Sequence, residues 1–172
     1  MLVFAILAVA VVIVDQVSKY FVSVNLPEVG DTFPVIKDVL HLTRVNNEGA
    51  AFGILSSHRW VFMVLSVVAI IGLTVWAAVF ISKRDNKWMM TAAAFVVGGG
   101  IGNMIDRIRI GYVIDFIDCR FINFYVFNVA DSFVTIGCIL LIISLIIEEI
   151  REFKRRRAAL EDTDEGEDDD SV

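Results

Sequence analysis

Gly98-Gly99-Gly100-Ile101-Gly102-Asn103-Met104-Ile105-Asp106-Arg107 closes an apolar stretch that begins at Trp88, and it ends a run of small and aliphatic residues with three polar side chains. Small residues let neighbouring helices approach closely in a bilayer, so the stretch reads as a central membrane helix. Asn103, Asp106 and Arg107 are related by i, i+3 and i+4 and therefore share a face. An ionisable group within a span costs about 3 kcal/mol or more unless it is paired, hydrated or used. A polar layer at the end of this helix therefore points to a working site or a paired network.

Working outward, three further segments match the roughly 20 apolar residues needed to cross a bilayer. The four spans are expected at about 2–22, 60–81, 88–105 and 129–147. The fold class is an all-α membrane protein, a four-transmembrane-helix bundle, with a small extracytoplasmic β-rich element. Hydrophobic residues make up 57% of the 172 residues and the mean hydropathy is +0.72, which leaves little soluble mass. The net charge of −6 belongs to one end of the chain: residues 161–172 hold eight acids and no base, and without them the charge is +2. Residues 1–157 form the expected membrane domain, and 158–172 an acidic, disordered cytoplasmic tail. Asp15 interrupts the first apolar run, and the basic start and small-residue cleavage pattern of a signal peptide are missing, so that run is read as a retained span.

Basic residues set the orientation. Lys83, Arg84 and Lys87 crowd a short loop, and Arg151, Lys154, Arg155, Arg156 and Arg157 come after the fourth span, so both places are expected on the cytoplasmic side with both termini. The outer connections carry Lys37, Arg44, Arg59, Arg107, Arg109 and Arg120 at lower density. In the first outer loop, residues 23–59, the segment 40–45 alternates. The segment 121–127 is aromatic and β-branched, and both suit strands. Asn46-Asn47-Glu48-Gly49 reads as a turn.

The carboxylates converge in depth. At about 1.5 Å per residue, Asp15 lies about 20 Å along the first helix from its inner end, with Lys19 one turn further on the same face. Asp106 lies about 27 Å from Trp88 on the same rise, Asp131 sits at the outer start of the fourth span, and Asp115 falls in the short outer connection. Asp15 with Lys19, and Asp106 with Arg107, have bases close by and read as structural pairs. Asp115 and Asp131 have none, which makes them candidates for a coupled pair in which one acid keeps a proton and the other acts as base. Spacing alone leaves Asp106 and Asp118 open as members of that pair.

Other chemistries fit less well. Two histidines, His41 and His58, and two cysteines, Cys119 and Cys138, without CxxC or HExxH, supply no zinc ligand set, so no metal or cofactor is expected. Cys119 and Cys138 lie at different depths, against a bridge. There is no GxSxG, and the glycine run lacks the Lys-Ser/Thr ending of a phosphate loop. No nucleic-acid motif is present.

Five motifs carry a resemblance: Asp15-Gln16-Val17-Ser18-Lys19, Asn47-Glu48-Gly49-Ala50-Ala51-Phe52, the Gly98 to Arg107 stretch, Val113-Ile114-Asp115-Phe116 and Phe127-Asn128-Val129-Ala130-Asp131. In this order, over residues 12–137, they resemble the bacterial lipoprotein signal peptidases, or signal peptidase II. The resemblance implies an aspartic endopeptidase of the bacterial cytoplasmic membrane, with its site toward the outer leaflet. Its substrates would be prolipoproteins, cut just before a diacylglyceryl-modified cysteine. It implies Asp115 and Asp131 as the catalytic dyad. Asn47, Asn103, Arg107 and Asn128 would be substrate-binding or dyad-supporting, and Asp15, Lys19 and Asp106 structural. Membrane lipids are the other implied partners. Residues 47–52 are expected to face the site from a platform formed by the outer loop. Gly53 and Gly100-Ile101 depart from the usual residues of the family, and neither replaces a functional side chain.

Two other classes compete on the residues alone. A proton or cation transporter would place polar residues in both halves of the membrane, whereas here the inner halves are nearly uncharged. A non-catalytic scaffold would use the acids for helix pairing, which leaves Asp115 and Asp131 without a reason.

Overall fold

The computed structural model describes residues 1–48, 59–81, 86–122 and 124–169. Expectations for Gly49 to Gly53, His58, Lys83, Arg84, Asn123 and the last three residues fall outside these. Helix α1 spans Leu2–Asn25, and strands β1 (Thr32–Ile36) and β2 (Leu40–Asn47) come next. Helix α2, Arg59–Trp76, continues as a π-helical turn over Ala77–Ile81. Helix α3 spans Lys87–Arg109, β3 Val113–Cys119 and α4 Val129–Asp169. Among the described residues four helices are long and apolar enough to cross a membrane, as expected.

The pattern of burial suits a bilayer solvent. On α1 the inward positions Phe4, Ala8, Val11, Asp15, Lys19 and Val22 recur every three or four residues, while Ile6, Val9, Ile13 and Val17 face outward and exposed. Helix α3 is central: half of its most apolar window is buried, against 11–28% in the other three, and it packs on α1, α2 and α4. Its small residues make this possible. A Cβ at Gly98 would lie 2.7 Å from the Ala8 carbonyl oxygen, and one at Gly99 2.5 Å from that of Ala130. The half of the bundle remote from the sheet closes around Phe4, Ala77, Ile81, Met89, Ala93 and Val97. Asn86 starts α3 by accepting the Met89 N–H with its side chain at 3.2 Å.

The three strands form one antiparallel sheet in the order β1-β2-β3. Pro34 is tolerated because β1 is an edge, and the register shifts beside it. The sequence places a strand at 121–127, but the third strand is Val113–Cys119. Residues Arg120–Ile122 form a 3-10 turn, and Phe127 makes only an isolated bridge to Ile117. The aromatic character of that segment instead accompanies exposure, with Phe121, Phe124 and Tyr125 on the surface, where such rings suit a membrane interface. Nor do Asn46 and Asn47 turn: they stay in β2, opposite Ile114 and Val113.

Helix α4 runs on to Asp169, so residues 158–169, read from sequence as disordered, are helical. Extending a helix that is already nucleated fixes one residue per added hydrogen bond, and Ala158, Ala159, Leu160 and Glu161 have high helix propensity.

Candidate active site

At the sheet end of the bundle, α1, β2, α3, β3 and the start of α4 bring their polar residues into one buried network. Lys19 of α1 lies 2.9 Å from Asp15 Oδ2 and 2.8 Å from Asp106 Oδ2, and donates to Asn103 Oδ1 at 2.9 Å. Asp106 therefore pairs with Lys19 and not with Arg107, contrary to the sequence reading: neighbours along a helix diverge by about 100°, and Arg107 turns its guanidinium elsewhere. Gln16, to which the sequence assigned no role of its own, donates to Asp106 Oδ1 at 2.9 Å and to Asp15 Oδ2 and Gly102 O at 3.2 Å. Its only signal was its place in the polar run Asp15 to Lys19.

Asp106 also ends α3 and positions the start of β3. Its carbonyl accepts from Ile110 and Gly111 N–H, Gly111 takes the left-handed φ of +89° that such an ending favours, and Asp106 Oδ2 accepts the Ile114 N–H at 3.3 Å. The next residue is Asp115. Its side chain, on a residue 2% exposed, accepts from Asn128 Nδ2 on Oδ1 at 2.6 Å and from Asn47 Nδ2 on Oδ2 at 2.8 Å. Burial pushes the Asp115 carboxyl up to about 6, and the negative charge of Asp131 adds to the rise, although both asparagines donate to it.

Asn128 and Asp131 make a reciprocal cap at the start of α4. Asn128 Oδ1 accepts the Asp131 N–H at 2.9 Å, and Asp131 Oδ2 accepts the Asn128 N–H at 3.2 Å. Asp15 Oδ1 takes the intervening Ala130 N–H at 3.0 Å, so α1 completes the cap. Asn103 Nδ2 donates to Asp131 Oδ1 at 2.7 Å, and Asn128 Nδ2 reaches Asn103 Oδ1 at 3.0 Å. Asn128 thus ties the Asp115 carboxylate to the backbone of Asp131, and Asn128 with Asn103 links the two carboxylates. Among the described residues Arg107 donates only weakly, to the Asn103 carbonyl at 3.5 Å, while its charge acts on Asp131, Asp115 and Asp106.

Asp131 is partly exposed, whereas Asp115 is buried beside it. A groove of about 240 Å³ between α2, α3 and α4 has Ser66, Ile70, Leu73 and Val134 on its walls and reaches Asn103, Arg107 and Asp131. Asp118, open on sequence grounds, belongs elsewhere. It accepts from Thr43 Oγ1 at 2.7 Å and Arg120 Nε at 2.9 Å. Desolvation pushes its carboxyl up, but those two hydrogen bonds and the charges of Arg120 and His41 outweigh it and hold the group below the usual range.

A family profile described as Signal peptidase (SPase) II matches residues 7–147, a stretch that contains every side chain of the network. The chain belongs to the signal peptidase II family. Among its relatives, the lipoprotein signal peptidase of Brevibacillus brevis is 39% identical over 142 residues, covering 83% of this chain and 93% of that protein. The lipoprotein signal peptidase of Microcystis aeruginosa is 44% identical over 141 residues, 82% of this chain and 90% of its own. A solved bacterial membrane enzyme, obtained by the in meso method at 2.3 Å resolution, superposes with a TM-score of 0.77 at 39% identity, covering 87% of this chain and 90% of the other. A second, at 1.9 Å, gives 0.76 at 40% identity, with 84% and 93% covered. This signal peptidase II chain is accordingly a multi-pass membrane protease.

Proposed function

We propose that the chain removes signal peptides from prolipoproteins by cutting just before a diacylglyceryl-modified cysteine, with Asp115 and Asp131 as its catalytic pair. The observation that carries this reading is the division of labour among the acids. Asp15 and Asp106 share Lys19, and Asp118 is held by Thr43 and Arg120, while among the described residues Asp115 and Asp131 meet only amides and share Asn128. Two carboxylates left without a salt-bridge partner and connected by the amides of Asn128 and Asn103 favour a single shared proton.

In the proposed mechanism Asp115, the more buried acid, holds the proton. Asp131, at the end of the groove, is ionised and takes a proton from the attacking water as it adds to the scissile carbonyl. Protonated Asp115 hydrogen-bonds the developing oxyanion, and Asp131 passes the proton it took from the water to the amine, which leaves as the carbonyl re-forms. Asn47, Asn103 and Asn128 fix the carboxylates, and Arg107 places positive charge beside the substrate backbone. Asp15, Lys19 and Asp106 hold α1, α3, α4 and β3 in register around them.

The apolar groove suits a substrate segment arriving laterally from the bilayer, and the acyl chains would lie against the bundle in the outer leaflet. The basic residues at the end remote from the network support a bacterial cytoplasmic membrane location with both termini cytoplasmic and the sheet outside. The transporter reading has little support, because the buried charges form one layer. Incubating the purified protein with diacylglyceryl-modified and unmodified forms of one prolipoprotein tests the reading. Cleavage of the modified form alone, immediately before the cysteine, is expected. Equal cleavage of both forms removes the lipid requirement, and no cleavage of either by folded protein removes the substrate assignment.

A further inference from the structure

The end of the bundle remote from the carboxylates holds two adjoining cavities that the peptidase chemistry does not use. One, of about 590 Å³, is polar and lined by Lys87 and Trp88 of α3 and by Arg151 and Arg155 of α4, with Glu148 and Glu152 beside them. The other, of about 290 Å³, is walled by Leu140, Ile143, Ser144 and Ile147, and it meets the first at Asn86, Trp88 and Arg151. Along α4 the apolar cavity lies about 17–27 Å from Val129 and the basic one about 29–39 Å. They therefore fall at the depths of one leaflet's acyl chains and of its headgroups.

The charges are arranged for an anion. Arg151 and Arg155 stand one turn apart on one face of α4, and Lys87 joins them from α3. Among the described residues none of these three cations enters a salt bridge, whereas Glu152 is engaged by Arg156 at 3.6 Å. Trp88 is 71% exposed at the junction of the two cavities, the position in which an indole anchors at a membrane interface. A headgroup phosphate would meet guanidinium groups able to bind it by two hydrogen bonds each, with one acyl chain in the groove beside it.

We propose that this pair of cavities is a binding site for one anionic phospholipid, distinct from the site of peptide cleavage. The test is lipid binding by the purified full chain in detergent, read by native mass spectrometry and by thermal unfolding. Both readouts are independent of peptidase activity, so failure here and failure of the proposed function are distinguishable. Phosphatidylglycerol is expected to remain bound and raise Tm, and phosphatidylcholine with the same chains is not. The R151Q/R155Q double variant should bind phosphatidylglycerol about tenfold or more weakly. K154Q/R157Q, which removes two charges from the same helix outside the cavity lining, should bind as wild type. Ser144→Phe, which fills the apolar groove, should weaken binding with Arg151 and Arg155 still present. Equal loss in the two double variants, equal binding of phosphatidylcholine, or the same Tm rise with inorganic phosphate alone would overturn the proposal.

Discussion

Asn128 donates to Asp115 and Asn103 through its amide nitrogen and accepts from the Asp131 N–H through its oxygen, so one side chain sets the relation between the two acids. Asn128→Ala is expected to lose cleavage and, as a lost helix cap, about 1 kcal/mol of stability, measurable as a lower Tm. The acid–base assignment has a definite pH signature. With the Asp115 carboxyl raised to about 6, the proton that the mechanism needs is present below that value and lost above it. The kcat/KM profile should therefore fall on its alkaline side. Asn47 donates to the ionised carboxylate and so lowers this value; Asn47→Ala should move the alkaline limb to higher pH while reducing the maximum. A limb that stays in place, or moves down, would assign the proton to another group. Lys19→Met tests the structural network separately. It leaves Asp15 and Asp106 buried without their counter-ion, at a cost of about 3–5 kcal/mol that should appear as a marked fall in Tm.

The contact between α3 and the first turn of α4 decides whether Asp131 is aligned. A methyl group at Gly99 would meet the Ala130 carbonyl oxygen at 2.5 Å, a backbone atom that cannot yield without moving the capped turn. Gly99→Ala should destabilise by about 1–3 kcal/mol and reduce cleavage, whereas Gly72→Ala, with nothing within 4 Å of the new carbon, should do neither. Thermal unfolding and cleavage rates of the two variants compare them directly. This packing was legible beforehand, because glycines in an apolar helix have few other uses, and so were the four spans, whose length and hydropathy answer directly to the bilayer. The strand at Val113–Cys119 was not. Its residues are largely buried, hiding any alternation, and the aromatic run after it imitates a strand while lying exposed. The partner of Asp106 was missed for a related reason: sequence proximity favoured Arg107, but Lys19 on another helix reaches the face that Asp106 presents.

Taken whole, the molecule has the polarity expected in a membrane, with valine and isoleucine outward on α1, α2 and α4 and charge within. Its proposed orientation puts Cys119, at the end of β3, on the outer side and Arg157 inside. A membrane-impermeant maleimide should label Cys119 in intact spheroplasts, and should label Arg157→Cys in a C119S/C138S background only after permeabilisation; the reverse pattern would invert the molecule. The family and the candidate acids were readable from five short motifs and the four spans from the length and hydropathy of the apolar stretches, while the joint role of Gln16, Asp15 and Asn128 needed the helices to be placed side by side. The most direct measurement is cleavage of a diacylglyceryl-modified prolipoprotein by Asp115→Asn, Asp131→Asn and Asp118→Asn beside the wild type, with Tm recorded for each. Rates at least about a thousandfold lower in the first two, folded variants and near wild type in the third are expected. Wild-type cleavage by folded Asp115→Asn or Asp131→Asn would contradict the catalytic pair.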